Sequence, residues 1–325
     1  MKKILKITTL IILFLFYTSS IFAQQISLSL TPPLIETTIK PGKSIMIAYT
    51  IKNYGDPTYL KTKVISFEPK DNLGNIRLKN NLEGPVRFDL DNADLQLERP
   101  FFLKTGESQQ ILLRIRIPDG APEGDYYYTL LAETIPQEGI NGSTSIAKVS
   151  IGANILVTIT NTGIINIKPK IVIFDVLTNL KIFGKKINIF DSFDKIPIVL
   201  ILENKGKNLI KPQGEINIKD FFAHNFKYQI IPKNILAESQ RLLEATPSVT
   251  IENNYNLKNT SLILSGFFIG PYKLSTQINF GENSPEVFAK TQFFAFPFKL
   301  SAISLFLIVI IIYIIKKLPK NIDEE

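Results

Sequence analysis

Ile111-Leu112-Leu113-Arg114-Ile115-Arg116-Ile117, then the Pro- and Gly-rich residues 118–124, then Tyr126-Tyr127-Tyr128-Thr129-Leu130-Leu131 form the most informative stretch of this 325-residue chain. The first run alternates apolar and polar residues, the period of a half-buried strand. The last is rich in aromatic and β-branched residues, and the segment between them is built of turn formers. The same grammar spreads outward. Ser27-Leu28-Ser29-Leu30 and Ile45-Met46-Ile47-Ala48-Tyr49-Thr50-Ile51 read as strands, and Pro41-Gly42, residues 53–57 and residues 71–74 read as turns. Short strands at this spacing, with no helical stretches between them, predict an antiparallel sandwich. Pro32-Pro33 fits an edge strand broken in two, because proline cannot donate to a central ladder.

The chain then repeats its own pattern. Ile51-Lys52-Asn53-Tyr54-Gly55 returns as Leu202-Glu203-Asn204-Lys205-Gly206, in each case a hydrophobic strand running into an Asn-x-Gly turn. Gly106-Glu107-Ser108-Gln109-Gln110-Ile111-Leu112 returns as Ala237-Glu238-Ser239-Gln240-Arg241-Leu242-Leu243, and Gly124-Asp125-Tyr126 as Gly270-Pro271-Tyr272. Gly55 and Gly124 are 69 residues apart and Gly206 and Gly270 are 64 apart, so order and span are kept. Two copies of one β-domain is the economical reading. The expected fold is all-β: two tandem immunoglobulin-like antiparallel β-sandwiches, over residues 24–160 and 161–296, with the Asn161-Thr162-Gly163 turn at the boundary. Residues 235–246 suit a helix capped by Asn234 on propensity alone. Their counterpart 108–117 alternates, so a strand is expected. Residues 145–160 read as one long strand with a bulge or bend at Gly152.

The two ends differ from the middle. Lys2, Lys3 and Lys6 precede an apolar run over 11–16 and a small-residue exit at 17–23, the layout of a secretory signal peptide (1–23) cleaved after Ala23. An uncleaved N-terminal anchor is the alternative, although the run is short for a span of roughly 20 residues. Residues 297–315 are apolar enough for one C-terminal transmembrane helix, with Lys299 snorkelling at its start. Lys316, Lys317 and Lys320 follow, in a tail (316–325) expected on the cytoplasmic side. Both ends give one orientation: a single-pass cell-membrane protein with its N-terminus outside.

The two ends hold six of the 37 basic and three of the 29 acidic residues, which leaves 31 against 26 outside. Scattered single charges are unlike a nucleic-acid arm, so no nucleic-acid partner is expected. The chain has no Cys, which excludes thiol catalysis and zinc–thiolate sites, and its one histidine, His224, has no second His beside which to bind a metal. No cofactor and no catalytic residue is expected. The acidic pairs Asp89/Asp91 and Asp191/Asp194 have the residue types of glycosidase carboxylates or calcium ligands but lack calcium-loop density, and are read as solvated turn residues.

Each Gly-x-Tyr sits where a sandwich places a tyrosine whose hydroxyl bonds nearby backbone, so Tyr126 and Tyr272 are read as structural. Strand neighbours point to opposite faces, so either Tyr127 or the pair Tyr126 and Tyr128 faces away from the core. Such an outward ring beside Tyr54 or Tyr59 makes a sugar-stacking platform.

A signal peptide, a first sandwich from TPPLIETTIKPGKS through IKNYGD to IPDGAPEGDYYYTLLAE, a second with LENKGKNLIKPQGEINIKD and a basic-tailed span together resemble the WxL-interacting cell-surface proteins of Gram-positive bacteria. The resemblance covers nearly the whole chain and rests on strand and turn patterns. It implies a first domain associated with peptidoglycan and a second with a partner or host surface, and it assigns no ligand-binding residue. The expected function is a non-enzymatic, membrane-anchored surface protein that binds cell-wall polymer or another surface protein through loops or strand edges. The alternative is a membrane-tethered chaperone or assembly factor for exported proteins.

Overall fold

Alternating apolar side chains can be buried on one face only if the chain is extended and paired, and that is the state adopted. The computed structural model describes residues 25–135, 148–178, 181–182, 185–246, 259–281 and 284–317. These are mostly β-strand, with one apolar helix on the C-terminal side. The signal-peptide reading of 1–23 and the tail from 318 onward lie outside the described residues.

In the first half the strands are β1 (Leu28–Thr31), β2 (Leu34–Ile39), β3 (Ser44–Asn53), β4 (Thr58–Pro69), β5 (Ile76–Leu78), β6 (Arg87–Leu90), β7 (Pro100–Leu103), β8 (Ser108–Arg116), β9 (Gly124–Ile135) and β10 (Ser150–Ile159). One sheet runs β1-β3-β8-β6. The other runs β2-β10-β9-β4, with β5 and β7 both pairing to β4. Between them lies a core in which Tyr49, Ile51, Ile111, Leu113 and Ile115 meet Leu60, Tyr128, Leu130, Ile155 and Val157. The Pro32-Pro33 break sends β1 to one sheet and β2 to the other, the division of an edge strand that the prolines predict.

The second half contains β11 (Pro169–Val176), the short pair β12 (Lys181–Ile182) and β13 (Lys185–Lys186), β14 (Ile189–Asp191), β15 (Ile196–Asn204), β16 (Gln213–Lys219), β17 (Asn225–Gln229), β18 (Ser239–Leu242), β19 (Leu262–Leu264), β20 (Gly270–Asn279) and β21 (Val287–Phe296). One sheet runs β11-β15-β18 with β19 also on β15, and another runs β14-β21-β20-β16-β17. A second core forms from Ile198, Leu200, Leu202, Ile216, Ile218, Leu274 and Phe293 among others. Its wiring matches the first: β3·β8 corresponds to β15·β18 and β4·β9 to β16·β20. The parallel pair β2·β10 corresponds to β14·β21.

The matching Asn-x-Gly turns have matching chemistry. Asn53 and Asn204 are fully buried. Each accepts from the amide two residues on, Gly55 and Gly206, at 2.9 Å. Each also donates across to backbone carbonyls, Asn53 to Asp56 and Leu103 and Asn204 to Asn208 and Leu236. Neither glycine has room for a side chain: an added Cβ would lie 2.2 Å from the Gln25 carbonyl oxygen at Gly55 and 2.3 Å from that of Asn166 at Gly206.

Two local expectations change. Only Ser239–Leu242 within 235–246 forms a strand, flanked by isolated bridges at Ile235 and Ala245. Glu238 adopts a left-handed φ of 54° that breaks the ladder. At Gly152 there is no bulge, since pairing with β9 runs unbroken through Gly152 and Leu131. The glycine serves close approach instead, for a Cβ there would lie 2.7 Å from Thr129 Cγ2.

The helix α1 (Phe298–Lys317) follows β21 with Pro297 alone between them, and none of its residues is buried against the rest of the chain.

Candidate functional site: the cleft between the two halves

The start of β9 is where the halves join. Asp125 accepts from Asn208 Nδ2 at 2.8 Å and from the Leu209 amide at 2.5 Å. Two residues on, Tyr127 faces away from the first core, stacks on Phe67 with centroids 5.7 Å apart, and accepts from the Ala237 amide at 2.8 Å. Burial, with the neighbouring Asp125 charge, pushes the Tyr127 phenol well above its ordinary range. Asn72 adds a backbone bond, accepting from the Leu242 amide at 2.6 Å. At the edge, Glu36 of β2 accepts from Asn234 Nδ2 and lies 4.0 Å from Lys211 Nζ. The halves are thus tied by side chains and backbone amides from residues 208–211, 234–237 and 242 of the second half onto Glu36, Asn72, Asp125 and Tyr127 of the first.

These ties leave a cleft of about 390 Å³ between them. Its floor is the outward face of the first half's second sheet: Leu34 and Glu36 of β2, Leu156 of β10 and Phe67 of β4. Its wall is Lys211 together with residues 232–236 and 239–241, and Ile76, Asp71 and Gly74 line one end. Arg241 donates to the Asn234 carbonyl at 2.5 Å. Burial draws its pKa below the usual arginine range, and Glu244 partly counters this. Its guanidinium lies over Gly74, where a Cβ would come within 2.4 Å of Arg241 Cζ. The cleft therefore combines the apolar floor residues Leu34, Leu156 and Phe67 with an edge strand on one side and a rim of paired charges: Lys211 faces Glu36, Lys233 holds Glu244 at 2.8 Å, and Asp71 lines the end at which Arg241 lies over Gly74.

The residues singled out from sequence lie elsewhere. Tyr126 donates to the Pro122 carbonyl at 3.2 Å and Tyr272 accepts from the Ile269 amide at 3.4 Å, so both hydroxyls bond nearby backbone. The outward ring is Tyr127, and it meets neither Tyr54 nor Tyr59. Tyr59 pairs with Ile135 at the far end of β9 and packs on Phe102, while Tyr54 lies beneath Lys52. His224 is exposed, with Nδ1 2.8 Å from Asp220 Oδ2. Burial opposes the Asp220 charge, but bonds from the His224 ring and amide outweigh it and hold that carboxyl below the usual range. Asp91 pairs with Arg114, which is also the cross-strand partner of Asp89. Asp191 accepts from the Lys299 amide at 2.9 Å, and Asp194 holds Lys299 Nζ at 2.7 Å. Both acidic pairs thus have cationic partners. Among the described residues no three His, Cys, Asp or Glu side chains are placed to hold a metal ion.

No sequence signal joined Glu36, Asp125, Asn208, Asn234 and Arg241: Asp125 and Arg241 stood out only as parts of repeated segments and Asn234 only as a helix cap. They are spread over more than 200 residues and meet only once both halves have folded.

No protein-family profile matches the chain, and no curated protein matches it. Among solved structures it is similar to the class 5 fimbriae chaperone CfaA, at 13% identity and a TM-score of 0.38, covering 82% of this chain and 99% of that one. It is similar to the SafB chaperone in complex with the Salmonella enterica SafA pilin, at 12% identity, TM-score 0.36, covering 83% and 99%. It is also similar to the E. coli chaperone DraB, at 13% identity, TM-score 0.36, covering 82% and 98%. Likeness at this level says nothing of what the chain binds.

Proposed function

We propose that the chain is an exported, non-enzymatic protein of two immunoglobulin-like units, held to the cell membrane by α1, and that its cleft receives an extended segment of another exported protein. The observation that supports this most is the cleft itself. Its floor reaches β2, the last strand of its sheet, whose outer side has no strand partner among the described residues. A segment laid beside β2 gains main-chain hydrogen bonds by strand addition, while Leu34, Leu156 and Phe67 receive its apolar side chains. Such a protein works as a surface receptor or assembly factor by geometry alone. Cell-wall polymer is the weaker reading, because the outward Tyr127 ring is held in the joint and neither Tyr54 nor Tyr59 lies beside it to form a stacking platform.

The membrane reading is supported by α1. Its 20 residues span roughly 30 Å at the helical rise, the thickness of a bilayer core. Its exposed apolar surface has no cover from the rest of the chain, and Lys316 and Lys317 close its last turn, the cation placement of a cytoplasmic end.

The test is photocrosslinking in cells that produce the full chain. A crosslinking residue at Leu34 is expected to trap one exported protein, and the same residue at Met46, exposed on the opposite sheet, to trap none. Glycan at Leu34 in place of protein returns the polymer reading, and equal trapping at both positions, or none at Leu34, overturns the cleft reading.

A further inference from the structure

The end of the second half from which α1 leaves carries an unusual amount of exposed aromatic surface. Outside the helix, five described phenylalanines are more than half exposed, and four of them are on loops at this end: Phe193, Phe221, Phe222 and Phe267. The strand registers place these loops together. β14 runs parallel to β21 with Asp191 opposite Phe296, which brings Phe193 level with the start of α1. β20 begins with Gly270 opposite Ala295, so Phe267 and the exposed Ile269 just before it lie at the same level. β16 ends with Lys219 opposite Lys273, which carries the loop over 220–224 to that end too, and the position of a Cβ on Gly270 is 3.4 Å from Phe221 Cβ.

The loops are built rather than loose. The Phe268 amide donates to the Ser192 carbonyl at 2.9 Å, and the Phe193 and Phe267 rings lie 5.1 Å apart. His224 closes the third loop through both bonds to Asp220, with Ala223 held at φ 64° and the Phe221 and Phe222 rings turned outward, 67% and 66% exposed. A contiguous exposed aromatic patch of this kind marks an interaction surface.

The position of α1 says what covers them. Its 20 residues match the hydrocarbon thickness with none to spare, so its first turn sits at the hydrocarbon boundary. A single residue, Pro297, separates it from β21, and that turn is clamped to the domain by Asp191 on the Lys299 amide and Asp194 on the Lys299 ammonium. There is no linker by which the domain can stand away from the membrane. The three loops flanking Phe298 are therefore held in the interfacial layer, where aromatic and apolar side chains insert favourably.

We propose that this end is a membrane seat: Phe193, Phe221, Phe222, Phe267 and Ile269 insert into the outer face of the lipid bilayer around the entry of α1 and fix the tilt of the arm. The inference rests on the reading of α1 as a membrane span. The chain contains no Trp, so single-Trp variants report from one position each. The full chain is reconstituted in vesicles of phosphatidylcholine with or without lipid brominated near the headgroup or near the bilayer centre, as Phe193→Trp, Phe222→Trp, Phe267→Trp, Ile308→Trp or Tyr54→Trp. The three loop variants are expected to be quenched by about half by the shallow bromines, with blue-shifted emission, Ile308→Trp by the deep ones, and Tyr54→Trp by neither. Quenching at Ile308 with none at the loops overturns the seat and leaves the span intact. No quenching at Ile308 overturns the span. Loop variants that are quenched no more than Tyr54→Trp likewise overturn the seat.

Discussion

Asn53 and Asn204 show how much one buried polar side chain organises. Each ties both ends of its turn, with its carbonyl oxygen on an amide and its Nδ2 on carbonyls of the turn and of a neighbouring segment. Replacing Asn204 by Ala takes the side-chain partner from the Gly206 amide and the Asn208 carbonyl in a buried turn. Asn204→Ala is expected to cost about 2–3 kcal/mol, read as a lower urea midpoint for unfolding, and Asn53→Ala a similar amount. Glu133 is a second such residue. It is buried on β9, with Lys63 Nζ at 2.9 Å and Lys148 Nζ at 3.3 Å. Burial pushes its carboxyl up, and the two ammonium groups outweigh this and hold it below the usual glutamate range. Because the folded-state value lies under the unfolded one, the charge stabilises the fold above the unfolded value, and this stability is lost as pH falls through the folded one. Thermal unfolding between about pH 5 and pH 3 should show the unaltered chain losing more stability than Glu133→Gln.

At the scale of elements, β9 does two jobs at once. Its middle, from Tyr128 to Ala132, completes the first core, while Asp125 and Tyr127 at its start hold the second half. Asp125 accepts from two groups of the second half and Tyr127 from one. Asp125→Ala should therefore loosen the joint more than Tyr127→Phe, which keeps its stack on Phe67. The chain has no Cys, so spin labels attach only at introduced sites such as Met46→Cys and Lys290→Cys. The distance distribution between them is expected to broaden clearly in Asp125→Ala and slightly in Tyr127→Phe. Equal widths in all three proteins would show that the joint does not depend on these bonds. The strand itself was legible from its aromatic and β-branched run and from the Gly-x-Tyr repeat. Its role as a joint was not, because Asn208 and Ala237 lie more than 80 residues further along the chain.

For the whole molecule, the cleft and the start of α1 lie at opposite ends of the second half, so that on the proposed reading α1 attaches one end and the cleft makes contact at the other. A chain terminated after Phe296 should be released by alkaline carbonate extraction, whereas the full chain should stay with the membrane pellet; retention of the shortened chain would place its attachment elsewhere. Several features were determined by the sequence alone, since local pattern suffices for them. These are the alternating strands, the proline-broken β1 and β2, the paired Asn-x-Gly turns and the apolar helix with its terminal lysines. The misreadings at Gly152 and over 235–246 arose where local pattern does not decide. A glycine in a strand serves a bulge or a close approach alike, and a left-handed residue such as Glu238 leaves no mark in an alternating run. The cleft, the spending of Tyr127 on the joint, and the gathering of Phe193, Phe221 and Phe267 around the start of α1 were decided only by the tertiary structure. Each depends on residues far apart in the chain being brought to one place by strand register and by the packing of one half on the other, and neither leaves a periodic signal along the chain.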